Sequence, residues 1–173
     1  MKCVSFFVLP FAAAVFAPQI VCAAPTPLGT FKSWSAYETG EGDSRVCYAL
    51  SRPTATDPAK IKRDPAFFLI NDWPGRHAGA EPEIVPGFQY KDGSSVTAQL
   101  GGSSVTFFTR NDGGAGGAWV EAQADEERLV NAMKTAAEAV VTGTSKRGTM
   151  VKDTYSLDGF ADALAKAQSA CGP

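Results

Sequence analysis

Alternation of apolar and polar residues is the dominant pattern from residue 31 onward, in short stretches separated by turns rich in glycine and proline. Alternation with a period of two places every second side chain on the same face, and it is typical of β-strands. Together with one continuously apolar run, 66–70, these stretches predict strands at 31–38, 45–51, 66–72, 87–90, 95–100, 103–109, 118–122, 139–145 and 149–155. About eight or nine short strands at this spacing predict a mainly β fold, an antiparallel β-sandwich or barrel.

The segments between and within these strands carry further expectations. The run 66–70 is continuously apolar, which predicts a strand covered on both faces. The segment 52–65 holds three prolines and predicts a loop, in which Arg63 and Asp64 would form a local salt bridge or a turn cap. The segment 111–117 predicts a flexible turn, because it contains the glycine-rich stretch Gly113–Gly117.

Two short helices are expected in addition to the strands. Asp125 is the predicted N-cap of the first, which runs to Lys134 with Leu129 and Met133 on its inner face. The second is C-terminal and follows Ser156 as its N-cap. Its predicted apolar stripe is Leu157, Phe160, Ala161, Leu164, Gln168 and Cys171.

Residues 1–23 have the pattern of a signal peptide. Lys2 precedes a long apolar stretch, and Val21-Cys22-Ala23 fits the residues that a signal peptidase recognises. We expect cleavage after Ala23, with Ala24 as the second choice; an uncleaved anchor and a lipoprotein at Cys22 are weaker alternatives. Residues 24–173 would then form a single exported β-sandwich domain. No other apolar run is long enough to span a bilayer, so we expect no stable membrane span after cleavage.

Two cysteines remain after the predicted cleavage. Cys47 lies on an early strand, where it shares a face with the small Ala49, and Cys171 lies on the inner stripe of the last helix. In an oxidising compartment this pair predicts one disulfide that fixes the last helix to an early strand. Two buried free thiols are the alternative.

Charge and histidine content limit the possible functions. The formal net charge is −2 and there is no long basic run, which argues against nucleic acid as the main partner. His77 is the one histidine, so a hydrolase would need it close to a serine and a carboxylate, and no G-x-S-x-G motif is present. We therefore expect no catalytic residues, no metal and no cofactor.

Two loops are candidate interaction sites. Trp73, Arg76 and His77 follow the buried strand 66–72, and Trp73 is expected to be the most exposed of the three tryptophans. Lys146 and Arg147 are predicted at the tip of the last hairpin. Loops on a rigid sandwich are common binding sites.

Several ordered motifs resemble one known family. They are Arg45–Pro53, Arg63–Phe68, Ala118-Trp119, Ala132–Lys134, Val140–Thr149, Asp153–Phe160 and Ala163-Leu164. Over most of the chain, from about Trp34 to Cys171, the sequence is similar to the invasion-associated locus B family of exported bacterial proteins. The resemblance implies an immunoglobulin-like β-sandwich from alphaproteobacteria, linked in pathogens to host-cell entry. It does not imply an enzyme, and it brings no catalytic residues to this chain. The stretch Gly113–Gly117 departs from the family because it looks longer than the usual turn.

The resulting functional expectation is a non-enzymatic cell-envelope protein that acts by protein–protein interaction. Its partner would be an envelope protein or a host protein. The alternative is a periplasmic protein that binds a peptide or small ligand, or maintains the envelope, by adding a strand to an exposed sheet edge. The expected location is the periplasm, and outer-membrane association and secretion are the alternatives.

Overall fold

The computed structural model describes residues 24–76 and 78–172, and β-strands are the main regular structure in this part of the chain. The predicted signal peptide lies outside these residues. The strands are β1 Thr26–Phe31, β2 Trp34–Thr39, β3 Val46–Ser51, β4 Ala55–Asp57, β5 Phe67–Trp73, β6 Ala78–Val85, β7 Ser95–Leu100, β8 Ser103–Asp112, β9 Ala115–Trp119, β10 Glu138–Thr144 and β11 Met150–Ser156. The α-helices are α1 Gln123–Met133 and α2 Phe160–Cys171, and short 3₁₀ helices span Gly42–Ser44 and Pro74–Arg76.

The strands of the described residues form one continuous antiparallel sheet, in the order β1-β2-β3-β5-β6-β9-β8-β7-β10-β11-β4. This sheet folds back on itself, because strands far apart in that order share a core. The ring of Phe68 in β5 lies 6.4 Å from that of Phe107 in β8 and 5.5 Å from that of Tyr155 in β11. The predicted mainly β antiparallel sandwich, with two helices and the last one C-terminal, is therefore confirmed.

Aromatic side chains fill the space between the two layers and the C-terminal helix. Trp34 is fully buried, packs against Phe160 at 4.9 Å and donates an indole hydrogen bond of 2.9 Å to the Ser156 carbonyl. Leu129 and Met133 of α1 enter the same core, as predicted. Burying large aromatic and aliphatic side chains is the main stabilising contribution to such a fold.

The disulfide between Cys47 and Cys171 is formed, with 5.8 Å between the Cα atoms. Both cysteines are buried. The bond fixes the end of α2 to β3, as predicted, and the alternative of two free thiols is wrong.

The first predicted strand, 31–38, is in fact parts of two strands. Lys32 has a positive φ of 53° and, with Ser33, forms a tight turn between β1 and β2. The alternation continues through the turn, which is why the sequence suggested one strand. Two further strands were missed: β1, which begins at Thr26, and the short β4 within the predicted loop 52–65.

The predicted strand 87–90 is wrong, and the real strand, β6, lies just before it. Pro82 sits inside β6 opposite Ile70 of β5, whereas the pairing of β6 with β9 involves only Glu83 and Ile84. The proline therefore lies where β6 has a strand neighbour on one side only, a position that tolerates its missing N–H. Glu81 and Glu83 consequently belong to a strand in the middle of the sheet order.

Most of the expected flexible turn 111–117 is strand. Strand β8 continues to Asp112 and β9 begins at Ala115, so only Gly113 and Gly114 form the turn. Both of these glycines have a positive φ. Gly116 is required by close packing, because a side chain there would overlap the carbonyl oxygen of Phe88.

Both helices begin at different residues from those predicted. Helix α1 begins at Gln123 with Ala122 as N-cap, so Asp125 lies within its first turn. Helix α2 begins at Phe160 after Gly159, whose φ is 88°, while Ser156 ends β11. This later start changes the buried stripe to Phe160, Ala163, Leu164, Ala167 and Cys171. The predicted inward positions Ala161 and Gln168 are exposed.

Candidate functional site

A row of five side chains crosses the outer face of five neighbouring strands. The register places Leu50 opposite Leu69, Leu69 opposite Glu83, Glu83 opposite Trp119 and Trp119 opposite Phe108. We call Leu50, Leu69, Glu83, Trp119 and Phe108 the outer row. Side chains directly opposite each other on neighbouring strands share a face. All five are half-exposed, whereas the alternate residues Phe68, Ile84, Phe107 and Ala118 point into the core.

Trp119 and Phe108 form the aromatic end of the outer row. Their ring centroids lie 6.0 Å apart, and the Arg110 guanidinium lies 5.2 Å from the Phe108 centroid. A side chain at Gly117 would overlap the Trp119 indole, so the ring lies directly against the strand at that glycine. The glycine therefore allows the indole to lie flat on the sheet.

Glu83 lies at the centre of the outer row. Asn71, itself 5% exposed, donates a side-chain hydrogen bond of 2.8 Å to the Glu83 carboxylate. Burial raises the pKa of Glu83 above its ordinary value of 4.5; the Asn71 hydrogen bond lowers it in part, and nearby Glu81 raises it further. The carboxylate is thus held in surroundings that disfavour its charge.

Replacing Glu83 by Gln should make the protein more stable at neutral pH. Because the folded-state pKa is raised, the folded protein binds more protons, and the free energy of unfolding falls as pH rises from about 4.5 through the raised pKa. Glutamine carries no charge and its side-chain oxygen can still accept the Asn71 hydrogen bond. Urea unfolding of both proteins from acidic to neutral pH measures the difference.

The control is a comparison of Glu83→Gln with the natural protein at low pH. There the carboxyl group is protonated in both states, so Glu83→Gln and the natural protein should unfold at similar urea concentrations. A difference that stays constant over the whole pH range would contradict the argument.

Carboxylates surround the aromatic end of the outer row. A shallow groove of about 760 Å³ lies there, and the carboxylates that line it are Glu81, Asp112, Glu121 and Glu126. Burial raises the pKa of Glu126, and the charges of Glu81 and Glu127 add to this effect. Arg110 is the cation in the lining, so this groove is electronegative.

A second, electropositive groove of about 870 Å³ lies between the loop before β5 and the β10–β11 hairpin. We call it the basic groove. Its cationic lining residues are Lys60, Lys62, Arg63, Lys146 and Arg147, and Asp64 is the acidic one. Phe88 forms part of its wall, 5.9 Å from the Arg63 guanidinium.

Arg63 is held by a buried ion pair with Asp153, and the expected local pairing with Asp64 is wrong. The two side chains are 8% and 7% exposed, and two hydrogen bonds of 2.7 and 2.5 Å join them. Arg63 also donates to the Pro86 carbonyl at 2.9 Å, and Thr56 donates to Asp153 at 2.6 Å. Burial lowers the pKa of Arg63, but the Asp153 hydrogen bond and charge outweigh this effect and raise it overall. The pair therefore fixes the loop before β5 to β11.

The described parts of the two predicted interaction loops lie at the ends of different strand pairs, β5–β6 and β10–β11. Lys146 and Arg147 are exposed at the tip of the β10–β11 hairpin, as expected. Trp73 is half-buried at the end of β5, and the 3₁₀ helix Pro74–Arg76 lies beside Asp43. His77 lies outside the described residues, and so does the side chain of Arg76.

Neither a metal-binding cluster nor a membrane-spanning helix is found among residues 24–76 and 78–172. No group of three or more His, Cys, Asp or Glu side chains in this part of the chain could hold a metal ion. No helix there is both long and apolar enough to cross a bilayer.

These features define an antiparallel β-sandwich closed by one disulfide. The family model for the Invasion associated locus B (IalB) protein matches residues 34–168, so the chain belongs to this family. Among solved structures, the crystal structure of invasion associated protein b from Bartonella henselae is similar, with a TM-score of 0.57 and 14% sequence identity over 86% of this chain and 98% of that one. At that identity the likeness shows the fold alone. None of the curated proteins matches this chain in sequence.

Only a weak signal in the sequence points to the outer row. The apolar run 66–70 predicted a strand covered on both faces, yet Phe67 and Leu69 are half-exposed while Ala66, Phe68 and Ile70 are buried. An apolar residue at an outward position is the signal that could have identified this face.

Proposed function

We propose that this chain is a non-enzymatic, exported cell-envelope protein that acts by protein–protein interaction, and that the outer row is its contact surface. The observation that carries this proposal is two half-exposed apolar pairs, Leu50 with Leu69 and Trp119 with Phe108, which lie on either side of Glu83. Contiguous apolar patches on a soluble fold mark interaction sites, and aromatic residues dominate the binding energy of interfaces. The neighbouring carboxylates favour a partner that presents basic residues around an apolar centre.

Export is supported by two features of the chain. The predicted signal peptide 1–23 would direct the protein out of the cytoplasm. The disulfide between Cys47 and Cys171 is of the kind that persists in oxidising compartments. We place the protein in the periplasm or at the cell surface of an alphaproteobacterium, in contact with an envelope protein or a host protein. The similar Bartonella protein is named for invasion, and host-cell entry is the corresponding proposal for this chain.

The alternative function, capture of a peptide by strand addition, receives less support from the sheet edges. The edge strand β1 contains Pro27 and a register shift between Pro27 and Gly29. The other edge strand, β4, has three residues. Prolines, bulges and short edge strands are the devices by which proteins prevent strand addition.

Photo-crosslinking in intact cells tests the proposed contact surface. A photoreactive phenylalanine analogue at Phe108 should crosslink to a partner protein, whereas the same analogue at half-exposed Phe31, away from the row, should not. Adding Trp119→Ala should lower the yield from position 108 about tenfold or more, because truncating an aromatic hot spot costs more than about 1.4 kcal/mol.

Two outcomes would overturn the proposal. One is equal crosslinking from positions 31 and 108, and the other is a yield from position 108 that Trp119→Ala leaves unchanged. Circular dichroism and the urea midpoint of Trp119→Ala establish that the variant remains folded, so a lost crosslink reports the surface.

A further inference from the structure

The tip of the β10–β11 hairpin combines exposed cations with an exposed apolar side chain. Lys146 and Arg147 are exposed in the turn, and Met150 at the start of β11 is 67% exposed. Met150 is the one large hydrophobic side chain among the described residues with this degree of exposure. Thioether side chains are apolar, so its exposure to water is unfavourable unless something covers it.

Further cations surround this tip. Lys60 and Lys62 line the opposite side of the basic groove, and exposed Lys152 follows Met150 on the same face of β11. Within residues 24–76 and 78–172, none of these three lysines takes part in an ion pair. Lys146 and Arg147 form none there either, and Lys146 contacts Gln89 at 3.4 Å. The acidic residues nearby are Asp64, in the groove lining, and Asp57, opposite Lys152. We call the basic groove, the hairpin tip and the outward side of β11 the basic face. This face carries an excess of positive charge on a chain whose net charge is −2.

The backbone around the tip is held in place. The Lys146 amide donates to the Gln89 carbonyl at 2.7 Å, and the Gly148 amide donates to the Ser145 carbonyl at 2.8 Å. The Ser145 amide donates to the Thr149 carbonyl, also at 2.8 Å. The cations thus project from a fixed base, which reduces the conformational entropy lost on binding.

We propose that this face docks on an anionic lipid surface. Lys60, Lys62, Lys146, Arg147 and Lys152 would contact the phosphates of the lipid headgroups, and Met150 would enter the boundary between headgroups and acyl chains. Cations beside an apolar side chain complement an anionic bilayer, which presents phosphate next to hydrocarbon. A soluble polyanion would satisfy the cations and leave Met150 in water. The basic groove and the groove at the aromatic end of the outer row share no lining residue, so the outer row remains free for the proposed protein partner.

Vesicle co-sedimentation of the chain without residues 1–23 tests this inference. The protein should sediment with vesicles that contain phosphatidylglycerol and remain in solution with vesicles of phosphatidylcholine alone. Lys146→Glu with Arg147→Glu should weaken binding by about 25-fold or more, since each cation near an anionic surface contributes about fivefold. Lys134→Glu with Lys166→Glu, which makes the same change of charge at exposed lysines elsewhere, should have a much smaller effect.

Substitution of Met150 separates lipid docking from simple anion binding. Met150→Ser should weaken vesicle binding, while Met150→Leu should preserve it. Equal binding to both vesicle types, equal losses from the two charge variants, or no loss with Met150→Ser would overturn the inference. Displacement from vesicles by millimolar inorganic phosphate or by polyglutamate would also overturn it, in favour of a soluble anion or an acidic protein. These outcomes leave the crosslinking test of the outer row unaffected.

Discussion

Alanine at both Cys47 and Cys171 is expected to lower the free energy of unfolding by about 4 to 5 kcal/mol relative to the oxidised protein. The disulfide joins residues 124 positions apart. A cross-link over so long a loop restricts the unfolded chain strongly, and this loss of unfolded-state entropy stabilises the folded protein. Urea denaturation followed by far-ultraviolet circular dichroism measures the change. An effect of this size is a large fraction of the stability of an ordinary domain.

Reduction of the natural protein provides the matched control. The reduced protein and the double alanine variant should unfold at similar urea concentrations, since both lack the cross-link. If the oxidised and reduced proteins had the same midpoint, the disulfide would contribute nothing and the entropic argument would fail.

The disulfide also determines which part of the fold loses stability when the bond is reduced. Helix α2 packs against β1, β2 and β3, and its inner residues Ala167 and Cys171 form a small buried cluster with Ala36 and Cys47. Small side chains bury little apolar area, so packing alone holds this end of the helix weakly. Hydrogen exchange in the reduced protein should therefore increase first near the end of α2.

The disulfide and the β-rich sandwich could be predicted because their signals are local or compositional. Alternation identifies a strand wherever one face is buried, and two cysteines in an exported chain have one pairing available. The strand β6 was missed because Pro82 argues against an interior strand, and only the sheet order reveals that it lacks a second strand neighbour there. The start of α2 was misplaced because Ser156 is a good capping residue in isolation.

The outer row and the Arg63–Asp153 pair cannot be predicted from local sequence patterns. The outer row depends on β6 pairing with β9 rather than with its successor in sequence. Arg63 could pair with adjacent Asp64 as far as the sequence shows, but its partner lies 90 residues away. Such contacts follow from the register of strands across the whole sheet, which a single sequence does not specify.

Replacing Asp153 by Asn is expected to destabilise the protein by about 3 to 5 kcal/mol. Asp153 and Arg63 are both almost fully buried, and the carboxylate accepts hydrogen bonds from Arg63 and from Thr56. Without the carboxylate, the buried guanidinium has no compensating charge, and an uncompensated buried charge is costly. The free energy of unfolding in urea at neutral pH measures the loss.

A double-mutant cycle distinguishes the ion pair from simple loss of packing. Arg63→Met with Asp153→Leu removes both charges and should cost much less than the sum of the two single substitutions, because no buried charge is left unpaired. Additive losses would contradict this account. The single variant Asp153→Asn should also increase hydrogen exchange in residues 58–64, because Arg63 fixes this loop to β11 and to the Pro86 carbonyl. Lys60 and Lys62 lie on this loop, so the buried pair also determines how the cations of the basic groove are presented to an anionic surface.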